Sequence, residues 1–254
     1  MIEVKNVHKI YPASKGGEEV HAVNNVSFRC EPGRVFALLG PNGSGKTTLL
    51  RMISTLMKPL KGEIKVAGMD ISSDGAAVRS QIGFLTGSAG LHEKLSARET
   101  LNYFGKLHGL GRDLLELRIE ELVERFELGE FLDRPTGKLS MGQKQRVMLA
   151  RTLVHDPEVV VFDEATTGLD VLAAKSLMDI IRSCREDGKT VLFSTHIMGE
   201  VSMLADDVLI LHKGRQIFEG TMDDFRAGQQ SASIEDEFVR LLENAESDMK
   251  GEKV

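Results

Sequence analysis

The sequence predicts an α/β chain in which a helical subdomain is inserted into a strand-rich body. Three observations carry this. The first third holds a succession of short strand patterns. Between about 88 and 150 the texture turns helical. Strands then return as continuous apolar runs, Val159-Val160-Val161-Phe162 and Val191-Leu192-Phe193, joined by a helical stretch from about Val171 to Cys184. Runs without polar alternation fit a parallel sheet covered on both faces, and parallel neighbours require a crossover connection.

The elements follow in order. Ile2, Val4 and Val7 suggest a first short strand. Val26 to Cys30 reads as a second, closed by a turn at Glu31-Pro32-Gly33. Arg34 to Leu39 is an apolar strand running into a glycine-rich loop, and Gly62 to Val66 is one more strand. In the helical part, Leu115, Ile119, Leu122 and Phe126 recur at steps of four, three and four, which places one apolar stripe on a helix as core packing. Val208 to Leu211, Lys213-Gly214 and Gln216 to Phe218 form a closing hairpin. Beyond Gln229 a short helical pattern (Phe238, Leu241, Leu242) precedes a polar end that is expected to be unstructured. The division is thus a body over 1–228, with its helical subdomain at about 88–150, and a tail over 229–254.

Composition narrows the function classes. The chain has 254 residues, 41% hydrophobic and 28% charged, the balance of a globular protein with room for a sizeable core. A net charge of −6 argues against nucleic acid as a partner, which calls for a basic face. The two cysteines, Cys30 and Cys184, have no metal-like spacing and read as reduced thiols. The start, Met1-Ile2-Glu3-Val4, lacks the pattern of a secretion signal. No stretch approaches the roughly 20 apolar residues of a membrane span, so any membrane role is expected to go through a partner.

Gly40-Pro41-Asn42-Gly43-Ser44-Gly45-Lys46-Thr47 matches the phosphate-loop pattern G-x-x-x-x-G-K-[ST], between an apolar strand and a helix that starts with Thr48. Glycines let the backbone curl its N–H groups toward phosphate oxygens, and the helix N-terminus adds a favourable dipole. Lys46 is expected to reach the β- and γ-phosphates of ATP, and the Thr47 hydroxyl to ligate Mg²⁺. The strand from Val159 ends in Asp163-Glu164. At the carboxyl end of a parallel strand, Asp163 is placed to hold Mg²⁺, and Glu164 is the candidate base for the attacking water. His196 follows the strand Thr190 to Thr195 and is placed to hydrogen-bond the γ-phosphate or that water. Acids after a strand can equally be solvated turn residues; the phosphate loop beside them decides for the catalytic reading.

Leu139-Ser140-Met141-Gly142-Gln143, leading into a helix that Ser140 would cap, completes the set. With these motifs the chain resembles the nucleotide-binding subunit of ATP-binding cassette (ABC) transporters over essentially residues 1 to 220. The usual signature is L-S-G-G-Q, with Met141 at its third position here. The resemblance implies the P-loop fold of the cassette type, with a mixed sheet core, an antiparallel β subdomain and an inserted helical subdomain. It implies that Tyr11 packs on adenine. It implies that two copies pair head to tail around two ATP molecules, each held by the phosphate loop of one copy and by Ser140, Gly142 and Gln143 of the other, with Asp170 of Gly168-Leu169-Asp170 at the seam. It further implies an integral-membrane permease as a separate partner, with the chain peripheral on the cytoplasmic face of the cell membrane.

Two positions depart from the pattern. Ala165 stands where proline is common, and Gly87 stands where the family carries a glutamine that contacts Mg²⁺. Ser88 or a water is the expected substitute, since Gln81 lies on the wrong side of its strand. The segments Ile82 to Gly87 and Leu95 to Leu101 look like those of exporter cassettes, most similar to the ATPase of a bacterial sodium-extrusion system. A soluble cassette ATPase acting on DNA or ribosomes would bring a long coiled coil before Ser140 or a second cassette, and neither is present. A GTPase would bring an Asn-Lys-x-Asp segment, also absent.

Overall fold

The computed structural model describes residues 1–12, 19–87 and 90–251. The chain opens with strands β1 (Ile2–Tyr11), β2 (Val20–Cys30) and β3 (Val35–Leu39), followed by helix α1 (Lys46–Ile53). Strands β4 (Lys61–Val66) and β5 (Met69–Asp70), helix α2 (Gly75–Ser80) and strand β6 (Ile82–Thr86) come next. Helices α3 (Ala97–Leu107), α4 (Arg112–Arg125) and α5 (Met141–Leu153) form the insertion. The body resumes with β7 (Val159–Asp163), α6 (Val171–Glu186), β8 (Thr190–Thr195) and α7 (Met198–Leu204). It closes with β9 (Asp207–His212), β10 (Arg215–Thr221), α8 (Met222–Ala227) and α9 (Ile234–Gly251).

These strands form two sheets. One is antiparallel, in the order β2-β1-β4-β5. The other runs β10-β9-β3-β8-β7-β6 and is parallel except for the β9–β10 hairpin, so the core sheet is mixed. All residues of β3, β7 and β8 are buried, because both faces of the parallel sheet are covered. Val35, Ala37 and Leu39 of β3 face the core shared with the helical insertion, while Phe36 and Leu38 face the core shared with α1 and the antiparallel sheet. Polar alternation is therefore missing for a physical reason: alternate residues go to two different dry layers.

Inside the insertion, Leu115, Ile119, Leu122 and Phe126 are buried as one stripe. Ser96 and Glu99 cap α3 reciprocally, the side-chain oxygen of one accepting from the other's backbone N–H. Both cysteines are buried free thiols, and burial raises their pKa values, that of Cys184 to about 11.

The tail departs from expectation. The polar end expected to be unstructured continues as α9 to Gly251. Phe238 and Leu241 pack against the main core, and the buried Glu237 carboxylate accepts from Arg240 and from the backbone N–H groups of Gln230 and Ser231. That tertiary anchoring offsets the weak helical signal of a charge-rich segment. Strands β1 and β2 also run longer than their apolar patterns suggested, because register shifts between Val4 and Ile10 break the alternation.

Candidate ATP-binding and hydrolysis site

The parallel strands deliver the motif residues to one edge of the sheet. Leu39 pairs with Thr195, Asp163 with Ser194, and Thr86 with Asp163, so the segments that follow β3, β6, β7 and β8 emerge side by side. The loop after β3 is built on close backbone approaches. A Cβ on Gly40 would stand 2.3 Å from the Leu211 carbonyl oxygen. One on Gly45, whose φ is +110°, would stand 2.2 Å from the Ala22 carbonyl oxygen. No side chain caps α1 at Gly45. The buried Ser44 hydroxyl has no hydrogen-bond partner among the described residues, as expected of a cradle for an anionic ligand. Lys46 is almost fully buried, its ammonium donating to the carbonyls of Gly40 (2.7 Å) and Pro41 (3.2 Å).

The cleft has a volume of about 1050 Å³. Asn42 through Thr48 and Glu164 line it on one side, and Tyr11, Glu19 to Ala22, Asn24, Lys213 and Arg215 on the other. Tyr11 stands at the end of β1, its hydroxyl 3.4 Å from the Thr48 hydroxyl and 3.4 Å from Met57 sulfur.

At the hydrolytic end, the buried Asp163 carboxylate accepts from the hydroxyls of Thr47 (3.2 Å) and Ser194 (2.7 Å). Glu164 is held in the left-handed region at φ +48°. Its backbone N–H reaches the Ser194 hydroxyl (3.1 Å) and carbonyl (3.2 Å). A non-glycine residue there costs about 1–2 kcal/mol, which the surrounding bonds must offset. The turn aims the Glu164 carboxylate at Lys46 (3.3 Å) and leaves it 4.0 Å from Nδ1 of the part-exposed His196. Lys46, Glu164 and His196 thus converge on one point. Thr47 and Asp163 offer hard oxygen donors within hydrogen-bond distance of each other. No group of three or more His, Cys, Asp or Glu forms a metal cage among the described residues. That donor set suits Mg²⁺, which retains waters and phosphate oxygens and needs few protein ligands.

Two residues escaped sequence reasoning. Ser194 binds both Asp163 and Glu164, and Thr195 orders the next turn by donating to Glu200 (2.5 Å) and accepting from Ile197 N–H (3.0 Å). The hydroxyl pair at the end of an otherwise apolar strand was the available signal. Gly87 lies outside the left-handed region and donates its N–H to the Asp163 carbonyl at 3.2 Å. Ser88, the alternative to a water as the expected substitute, falls outside the described residues.

The remaining motif residues lie elsewhere. Ser140 caps α5, its hydroxyl accepting from Gln143 N–H (3.3 Å) while the Gln143 side chain accepts from Ser140 N–H (3.0 Å). Ser140, Gly142 and Gln143 line a second cleft of about 540 Å³ with Glu127, Glu130 and Arg146. Asp170 caps α6 by accepting from Ala173 N–H (2.9 Å). The two clefts share no residue. Three apolar side chains beside these caps are strongly exposed: Met141 (71%), Val171 (85%) and Leu172 (78%).

Known proteins resemble this chain in sequence and in fold. The family model for ABC transporters matches residues 23–167, more than half of the chain. The chain is 41% identical to the ABC transporter ATP-binding protein NatA of Bacillus subtilis over 224 residues, covering 88% of this chain and 91% of that protein. A solved ATP-binding subunit of an ABC transporter superposes with a TM-score of 0.83 at 31% identity, over 95% of this chain and 99% of that one. The dimeric cassette MJ0796 in a post-hydrolysis state, bound to ADP and Pi, superposes with a TM-score of 0.75 at 30% identity, over 87% of this chain and 99% of that one. A phosphate loop, an Asp–Glu strand end and a signature helix on this fold make the chain a member of the ABC transporter family, its ATP-binding and ATP-hydrolysing subunit.

Proposed function

We propose that the chain powers export through a separate integral-membrane permease, by closing on a second copy of itself around two ATP molecules. The observation that carries this reading is the division of the motifs between two clefts with no residue in common. The phosphate loop and the signature of one chain cannot serve the same nucleotide, whereas those of two head-to-tail copies can. The exposed Met141, Val171 and Leu172 lie next to the signature and the Gly168-Leu169-Asp170 segment, where a partner copy would cover them. The dimeric arrangement of the MJ0796 cassette supports the same reading. ATP favours the closed pair only through contacts it makes in that state, and a Ser140 hydroxyl at the N-terminus of α5 is suited to a γ-phosphate.

Within each site, the loop amides and Lys46 bind the β- and γ-phosphates, and Tyr11 packs on adenine. Thr47 and Asp163 would hold Mg²⁺, which supplies Lewis-acid stabilisation of charge on the phosphate oxygens. Glu164 orients the attacking water and takes up its proton, and His196 hydrogen-bonds the γ-phosphate. Asp170 sits at the seam between copies.

Among the described residues no helix is long and apolar enough to cross a membrane, which leaves translocation to a partner. The likeness of the segments at 82–87 and 95–101 to a sodium-extrusion ATPase makes Na⁺ the proposed cargo, and the cytoplasmic face of the cell membrane the proposed location. Affinity capture of the tagged chain from detergent-solubilised membranes tests this. A multi-span membrane protein should co-purify. Recovery of ribosomal or DNA-bound proteins instead would contradict it.

A further inference from the structure

Helix α9 reaches the nucleotide cleft through the turn between β9 and β10. Lys213 and Gly214 of that turn both have left-handed φ, +47° and +78°, the geometry of a tight two-residue hairpin. The turn is tied to the phosphate loop: Gly214 N–H donates to the Ser44 carbonyl (2.9 Å), and the Gly214 carbonyl accepts from Asn24 N–H (2.8 Å). No side chain fits at Gly214, where a Cβ would stand 2.4 Å from the His21 carbonyl oxygen. Lys213 is among the residues that line the cleft.

The same ammonium donates to Glu246 of α9 at 2.8 Å. The Glu246 carboxylate also stands 3.4 Å from Nε2 of the buried His212 at the end of β9 without a hydrogen bond between them, so its hold on the turn is through Lys213. Helix α9 is a firm base for that grip. Its first turns are fixed by the buried Glu237, its Arg240 partner and two backbone amides, and by Phe238 and Leu241 in the core.

We propose that Glu246 is a positioning residue for nucleotide binding: through Lys213 it sets how much positive charge the rim of the cleft presents to an anionic nucleotide. The proposal rests on reading this cleft as the ATP site. A carboxylate 2.8 Å from the ammonium offsets its attraction for the ligand, and the C-terminal helix thereby tunes affinity without touching the reacting phosphate. Because the pair is part-exposed, its leverage is modest, about two- to fivefold in a dissociation constant.

The test is titration of a fluorescent ATP analogue into the full chain at physiological salt, with steady-state hydrolysis measured in parallel. The set is the parent, Glu246→Gln, Lys213→Ala and the double variant. Glu246→Gln should bind about two- to fivefold more tightly, lowering KM while kcat changes less, and Lys213→Ala should bind more weakly. In the Lys213→Ala background, Glu246→Gln should have no further effect. A Glu246→Gln affinity equal to the parent's would overturn the proposal. So would an effect of the same size in the Lys213→Ala background, which would mark a structural role for α9. A parent that binds no nucleotide would instead overturn the reading of the cleft, so the two failures are told apart.

Discussion

Introducing a glutamine side chain at Gly87 probes the proposed metal end of the site without disturbing the phosphate cradle. The backbone at Gly87 is outside the left-handed region, so a side chain brings no conformational penalty there. Its Cβ would stand 3.3 Å from the Glu164 carbonyl oxygen and 4.0 Å from that of Asp163, a fit that asks the neighbours to yield a few tenths of an ångström. Crowding of that kind costs about 1 kcal/mol. Replacing glycine recovers about 0.4–1 kcal/mol by restricting the unfolded chain. The net change is within about 1 kcal/mol, a Tm shift of at most about 2–4 °C for a chain this long. Lys46 and Thr47 are untouched, so ATP affinity should stay within about twofold and turnover within about tenfold. Gly45→Ala is the contrasting variant: its Cβ would stand 2.2 Å from the Ala22 carbonyl oxygen, at a φ of +110°. That variant should lose nucleotide binding. Thermal melts, nucleotide titration and phosphate release read all three quantities. A Gly87→Gln chain that fails to bind ATP, or a Gly45→Ala chain that binds like the parent, would refute the backbone argument.

Other outcomes follow from single residues. Lys46→Ala removes a buried ammonium from the cradle, and ATP affinity should fall about 10- to 100-fold in the same titration. Ser140→Ala removes the cap of α5, costing about 1 kcal/mol of stability in a thermal melt, and should also depress hydrolysis if the hydroxyl serves a partner's nucleotide. The His155 ring, stacked on His108 at 3.7 Å, has its pKa lowered to about 4, first by burial and then by the neighbouring imidazole, against opposing help from Asp156 and the Ile82 carbonyl. The unfolded chain therefore binds more protons between pH 6.5 and 4, so stability present above pH 6.5 is lost as pH falls through that window. The pKa difference corresponds to about 3 kcal/mol at most, and His155→Gln should flatten the fall in Tm over that range.

What was legible in the sequence was local. The phosphate loop needs eight consecutive residues, the Asp163–Glu164 pair needs the strand before it, and Ser140 needs only its own helix. What was not legible comes from residues brought together across the chain. Ala22, Ser44 and Gly214 meet because β2 and the β9–β10 turn close on the phosphate loop through backbone contacts that have no side-chain signature. Ser194 acquires its role from pairing opposite Asp163 on the neighbouring strand. Helix α9 gives a weak sequence signal because its surface is charged and only a few residues of one face meet the core. Those residues, with Glu237 and Arg240, order a segment whose composition alone suggests a loose end.

In the proposed function, one chain holds two halves of different sites, completed by a second copy when ATP is bound. Glu164→Gln should keep the fold and the phosphate cradle while removing the proposed base, with hydrolysis expected to slow about 10²–10⁴-fold and the nucleotide to stay trapped. Light scattering of this variant after size exclusion, with and without saturating Mg²⁺ and ATP, measures the claim directly. A monomer is expected without nucleotide and a doubling of mass with ATP. An unchanged mass at saturating ATP, in a variant shown to bind it, would contradict ATP-driven pairing of two copies.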